Sequence, residues 1–129
     1  MANTVTLRKL IDGPSRAVIH VYMEYVDTSE NTDTVVVDAS DLSGAPSKVT
    51  VCRVMGNLRG YTSILEFDAT TDVPFMALPA DDFFDYCFED FGGIKDNSGT
   101  GTTGDVVLTT SGFTAAGDAG WLIIEVKKH

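Results

Sequence analysis

Residues 16–25 read RAVIHVYMEY, and their alternation decides the fold. One set, Ala17, Ile19, Val21, Met23 and Tyr25, is apolar throughout; the other, Arg16, Val18, His20, Tyr22 and Glu24, is mixed. Period two sends successive side chains to opposite faces of an extended chain, and the β-branched content favours a half-buried strand. WLIIEVKK (121–128) repeats the pattern, with Leu122, Ile124 and Val126 inward and Glu125 and Lys127 outward. On the mixed face, His20 reads as a solvated or hydrogen-bonded imidazole rather than a catalytic one.

Outward from these two segments the same signal recurs. It predicts strands at TVTLRKLI (4–11), TVVVD (34–38), KVTVCRVM (48–55), YTSILEF (61–67), VPFMAL (73–78) and DVVLTT (105–110). Turn chemistry separates them at DGP (12–14), SENTD (29–33), SGAPS (43–47), GNLRG (56–60), DATTD (68–72) and AAGDAG (115–120). A helical period over several turns is absent, and one short helical turn fits inside 81–93. The expectation is an all-β chain: one antiparallel, jelly-roll-like β-sandwich over residues 1–129, with about seven to nine short strands. Residues 1–10 form either an extended N-terminal arm or the first strand.

Composition narrows the function. The chain has 129 residues, 43% hydrophobic, enough for one core without metal or disulfide support. Nine Lys and Arg against 19 Asp and Glu give a formal charge of −10. That balance argues against a nucleic-acid partner, which needs a basic footprint. No apolar run is long enough to span a bilayer, so no membrane partner is expected. The opening MANTVTLRKLIDG lacks a signal-peptide apolar region, which predicts cytoplasmic synthesis. Without secretion, Cys52 and Cys87 read as two reduced, buried thiols.

GTGTTG (99–104) matches the glycine string of dinucleotide-binding loops, but its context does not. Such a loop follows a strand and opens a helix whose N-terminal amides hold the pyrophosphate. Here the polar KDNS precedes it, and a β-branched strand beginning at Asp105 follows. The string reads as a turn. No catalytic set emerges either. The serines lie in turns without a nucleophile elbow, and nothing brings His20 to a cysteine. Neighbouring carboxylates such as Asp81 and Asp82 point to opposite faces of a strand. No calcium-loop spacing occurs. His129, at the C-terminus, is expected to fray. No enzymatic activity, cofactor or metal is expected.

DDFFDYCFEDF (81–91) is the unusual stretch, with four Phe, one Tyr and five acidic residues. In an extended chain Phe84, Tyr86 and Phe88 share a face. Two readings stand: an edge or closing segment whose aromatics plug the core, or a partner-facing patch carried by Phe83, Phe84, Tyr86 and Phe88.

The order of motifs adds a resemblance. KLIDGP…AVIHV (9–21), LEFDATTDVPFMALPAD (65–81), FGGIKDNSGTGTTGDVVLTTSG (91–112) and WLIIEVKK (121–128) together resemble small virion structural proteins of tailed bacteriophages. The likeness covers most of the chain in order and is densest over 66–112. Phe67 stands where those proteins usually carry Trp, and the segment between LPAD and FGG is unusually acidic and aromatic. The resemblance implies a capsid decoration (cement) protein on the outer head surface, a homotrimer bound in many copies to the major capsid protein. Under it, GTGTTG is the loop leading into the following strand. A neck, tail or fibre-associated subunit is the alternative. A carbohydrate-binding sandwich on the virion surface is the second; it requires exposed Trp or Tyr, whereas Trp121 is expected to be buried.

Overall fold

The computed structural model describes residues 3–129, and two antiparallel sheets make up most of its regular secondary structure. Ten strands run in chain order: β1 (Thr4–Asp12), β2 (Arg16–Glu24), β3 (Thr34–Val37), β4 (Val49–Arg59), β5 (Thr62–Phe67), β6 (Val73–Leu78), β7 (Phe83–Cys87), β8 (Ile94–Lys95), β9 (Val106–Ser111) and β10 (Ala119–Lys128). The larger sheet has the order β1-β2-β10-β4-β7, with β8 also paired to β4; the smaller is β3-β9-β5-β6. The count exceeds the upper expectation by one, which the two-residue β8 supplies. A single 3-10 turn, Glu89–Phe91, occupies the region where one helical turn was expected. A second, Ala39–Asp41, is capped by the Asp38 carboxylate, which accepts from the Ser40 amide.

The alternation read from 16–25 is the packing. Ala17, Ile19, Val21 and Met23 of β2 and Leu122, Ile124 and Val126 of β10 are all buried. They meet Leu65 and Phe67 of β5 and Val106 and Leu108 of β9 in one core cluster. Burying an aliphatic side chain of this kind contributes about 1.5–3 kcal/mol. Tyr61 and Phe113 stack in this core with ring centroids 4.0 Å apart.

Residues 4–12 pair with β2 as an edge strand, so this part of the N-terminal segment lies in the sheet and is not a free arm; Met1 and Ala2 fall outside the described residues. Buried Asn3 anchors the entry. Its side-chain amide donates to the carbonyls of Ser29 and Phe113, and its Oδ1 accepts from the amides of Val26 and Asp27.

Four sequence expectations need correction. GNLRG (56–60) is not a turn: β4 continues through it to Arg59. Its Gly56 is there because a Cβ would lie 2.1 Å from the Trp121 carbonyl oxygen of β10, so only glycine lets the two strands approach. Cys87 is exposed rather than buried; Cys52 is buried, and both are free thiols. His129 is tied down, because its amide donates to the Lys48 carbonyl, its carbonyl accepts from the Ser47 amide, and its imidazole meets the Thr50 hydroxyl. Trp121 is not inward. It precedes buried Leu122 and so falls, with Glu125 and Lys127, on the outer face of the larger sheet, where it is half-exposed.

Candidate functional site

β7 splits the aromatic stretch by its pleat. Phe84 points into the core, where it is buried, and stacks on Tyr86 with centroids 5.6 Å apart. Tyr86 stands at the sandwich rim. Phe83 points the other way and is 55% exposed. Phe88 opens the 3-10 turn, half-buried against the core, 6.1 Å from the exposed Phe91 ring. The four residues expected to share a partner patch therefore sit in four environments, and Phe84 is a core residue. Phe83, Tyr86 and Phe91 remain available at the surface.

Strand register gives Phe83 companions that its sequence neighbours do not. Tyr22 on β2 pairs with Trp121 on β10, Trp121 with Asn57 on β4, and Asn57 with Phe83 on β7. Directly paired residues share a face, so these four form a transverse row on the outside of the larger sheet. Adjacent strands lie ~4.8 Å apart, so the row extends about 14 Å. The Phe83 and Trp121 rings reach over Asn57 to a centroid separation of 6.3 Å, tilted by 39°.

Beside this row the register places Glu24, Ala119 and Arg59 on adjacent strands. The short Ala119 side chain leaves a depression of about 350 Å3 lined by Tyr22, Asn57, Arg59, Ala119, Gly120 and Trp121. On the other side lie His20, Ile123, Met55 and Asp85, then a smaller hollow of about 190 Å3 lined by Val18, Arg53, Met55, Ile123 and Glu125.

The charged groups of this face fall into two kinds. Arg53 holds Asp85 through two parallel hydrogen bonds, and this pairing depresses the Asp85 carboxyl below its ordinary range. Arg16 reaches Glu89 at 2.7 Å and Glu125 at 3.1 Å. The side chains of Glu24 and Arg59, by contrast, make no hydrogen bond or ion pair with another described residue, and neither do the side-chain polar atoms of Tyr22, Asn57 and Trp121.

A second constellation lies on the smaller sheet. Carboxylate oxygens of Asp33, Glu66 and Asp72 converge within 4.8 Å. Partial burial first, then mutual repulsion, raises the Asp33 and Glu66 carboxyls above their ordinary values. Sequence spacing hid this group, because its members come from the loop before β3, from β5, and from the DATTD turn.

The glycine-rich loop is laced to that same turn. The Asp96 carboxylate accepts from the Ser98 amide and hydroxyl and from the Thr102 hydroxyl. Thr103 donates from its amide to the Asp68 carbonyl and from its hydroxyl to the Asp68 carboxylate, and the Thr70 amide donates to the Thr100 carbonyl. The loop leads into β9, not into a helix, and is tied to Asp68, Thr70 and Asp96. A dinucleotide loop instead opens a helix whose N-terminal amides face the pyrophosphate.

No known protein-family model, curated protein or solved structure matches the chain.

Proposed function

We propose that this chain is a non-enzymatic structural protein of a tailed-bacteriophage particle, a decoration protein that binds the outer head surface as a homotrimer and cements the major capsid protein. The observation that carries this reading is where the resemblance falls in the fold. The DATTD turn (68–72) and the GTGTTG loop (99–104), both inside the densest part of the resemblance (66–112), hydrogen-bond to each other. The resemblance thus includes two segments, distant in sequence, that the fold brings into contact, which supports reading them as parts of one motif.

Cementing needs a folded, soluble module with surface to bury across seams that exist only on the assembled shell. Many bound copies then stabilise that shell by mass action. Tyr86 on β7 and Phe91 in the turn that follows it supply exposed aromatics near acidic residues, and one such side chain at an interface centre contributes about 2 kcal/mol. The test is a phage deleted for this product, with heads heated in the presence of a DNA-binding dye. DNA release at a lower temperature than from complete heads is the expected result, and release at an unchanged temperature overturns the role. Intact heads without tails, or a copy number far below that of the major head protein, would place the chain in the neck, tail or fibre instead.

A further inference from the structure

The row Tyr22–Trp121–Asn57–Phe83 and the hollow over Ala119 combine features that a decoration role does not require. Three aromatic rings face outward on one rigid sheet, aligned across the strands. Next to them, a carboxylate (Glu24), a guanidinium (Arg59), an amide (Asn57), an indole N–H (Trp121) and a phenol (Tyr22) all lack partners among the described residues. We propose that this outer face is a carbohydrate site, taking a short neutral oligosaccharide of pyranose rings with one sugar seated in the hollow beside Trp121.

The chemistry favours a sugar over a protein surface. A pyranose has an apolar C–H face that stacks on aromatic rings and a rim of hydroxyls that both donate and accept. Such a rim satisfies Glu24 and Arg59 together. An apolar protein partner would have to strip water from two unpaired charges, a cost that only matched polar groups offset. The volume fits as well. About 350 Å3 is the lower end of small-ligand sites (about 300–1,000 Å3) and is concave, where protein seams are broad. Glu24 and Arg59 cancel each other, while the whole chain carries −10, so the field disfavours acidic glycans and selects a neutral one. A row of about 14 Å gives room for more than one ring.

Trp121 is the chain's single tryptophan, so its emission reports on the site alone. The experiment titrates the isolated protein with neutral gluco-, manno- and galacto-oligosaccharides, with sialylated and sulfated glycans as comparison arms. A saturable change in Trp121 emission with at least one neutral series is expected, with a dissociation constant of about 1 mM or tighter. Glu24→Gln, Arg59→Ala and Phe83→Ala alter exposed side chains and should each weaken binding roughly tenfold with unchanged circular dichroism. No saturable response, a response only to acidic glycans, or binding that survives all three substitutions overturns the proposal. So does burial of Trp121 from a soluble quencher by empty phage heads, which would make the face a protein seam. Because the titration uses free protein, its failure leaves the decoration reading standing, and an unchanged DNA-release temperature leaves the sugar site standing.

Discussion

Gly104 offers the sharpest test of the loop geometry. Its φ is +82°, and a Cβ built there would lie 2.1 Å from the Ser47 carbonyl oxygen and 2.8 Å from its carbonyl carbon. Those are backbone atoms, held by the Ser47 amide's bond to the His129 carbonyl, so they cannot rotate aside. Gly104→Ala therefore adds two costs. Left-handed backbone on an L-residue costs about 1–2 kcal/mol. Displacing packed backbone costs a further amount of about 1–3 kcal/mol. The sum, about 2–5 kcal/mol, is a large share of the stability of a typical domain. With a urea slope of about 2 kcal/mol/M, the unfolding midpoint should fall by about 1–2.5 M. Gly99 is the internal control, because its φ is +80° yet a Cβ there meets nothing within 4 Å. Gly99→Ala should carry only the backbone cost of about 1–2 kcal/mol. Urea unfolding followed by Trp121 emission measures both. Equal losses for the two variants would refute the claim that Ser47 walls this position. Neither variant should change nucleotide affinity, because calorimetry with NAD or ATP should show no binding; micromolar binding would overturn the reading of GTGTTG as a turn.

Three further outcomes follow from named contacts. The folded-state carboxyl of Glu66 is raised, so the native state holds its proton more tightly than the unfolded chain does, and stability is lost as pH climbs from the ordinary carboxyl value through the raised one. Glu66→Gln should therefore raise the melting temperature near pH 7 and change it little near pH 4; an equal gain at both would show that charge is not the cause. Cys87 should react with a thiol reagent in the native protein, while Cys52, buried and with its thiol pushed up by desolvation, should react only after unfolding; simultaneous labelling in mass spectrometry would contradict the two environments. Asn3→Ala strands two carbonyls and two amides at the start of β1 and should cost about 2–4 kcal/mol by urea unfolding, whereas a loss under 1 kcal/mol would mean that water replaces the side chain at about no cost.

Alternation made β2 and β10 legible, because each buries one face against the same core and the inward residues are uniformly apolar. The VPFMAL strand at 73–78 was readable residue for residue. GNLRG was not, because glycine has two structural uses that composition alone cannot separate. At Gly60 it turns the chain with φ at +86°, while four residues earlier Gly56 lets β4 touch β10. Cys87 and Trp121 were misplaced for a related reason. An apolar residue in a strand signals burial only when its face is known, and both follow the outward phase of their strands. His129 is held by Lys48, Ser47 and Thr50, contacts that link the end of the chain to its middle and leave no local mark.

The outer-face row shows why a site of this kind escapes sequence spacing altogether. Tyr22, Asn57, Phe83 and Trp121 belong to four strands, and no local motif links them. What brings them together is pairing register, and register is fixed by the opposite face. Met23, Leu122, Leu58 and Phe84, the inward neighbours one residue along each strand, are all buried in the core. A slip of one residue in any of these pairings would expose that buried set and break the row at the same moment. Hydrophobic packing inside thus holds the aromatic row outside in alignment, with no separate stabilising contact required among the row's polar atoms. Those atoms are left free for a ligand, because the core has already done the positioning.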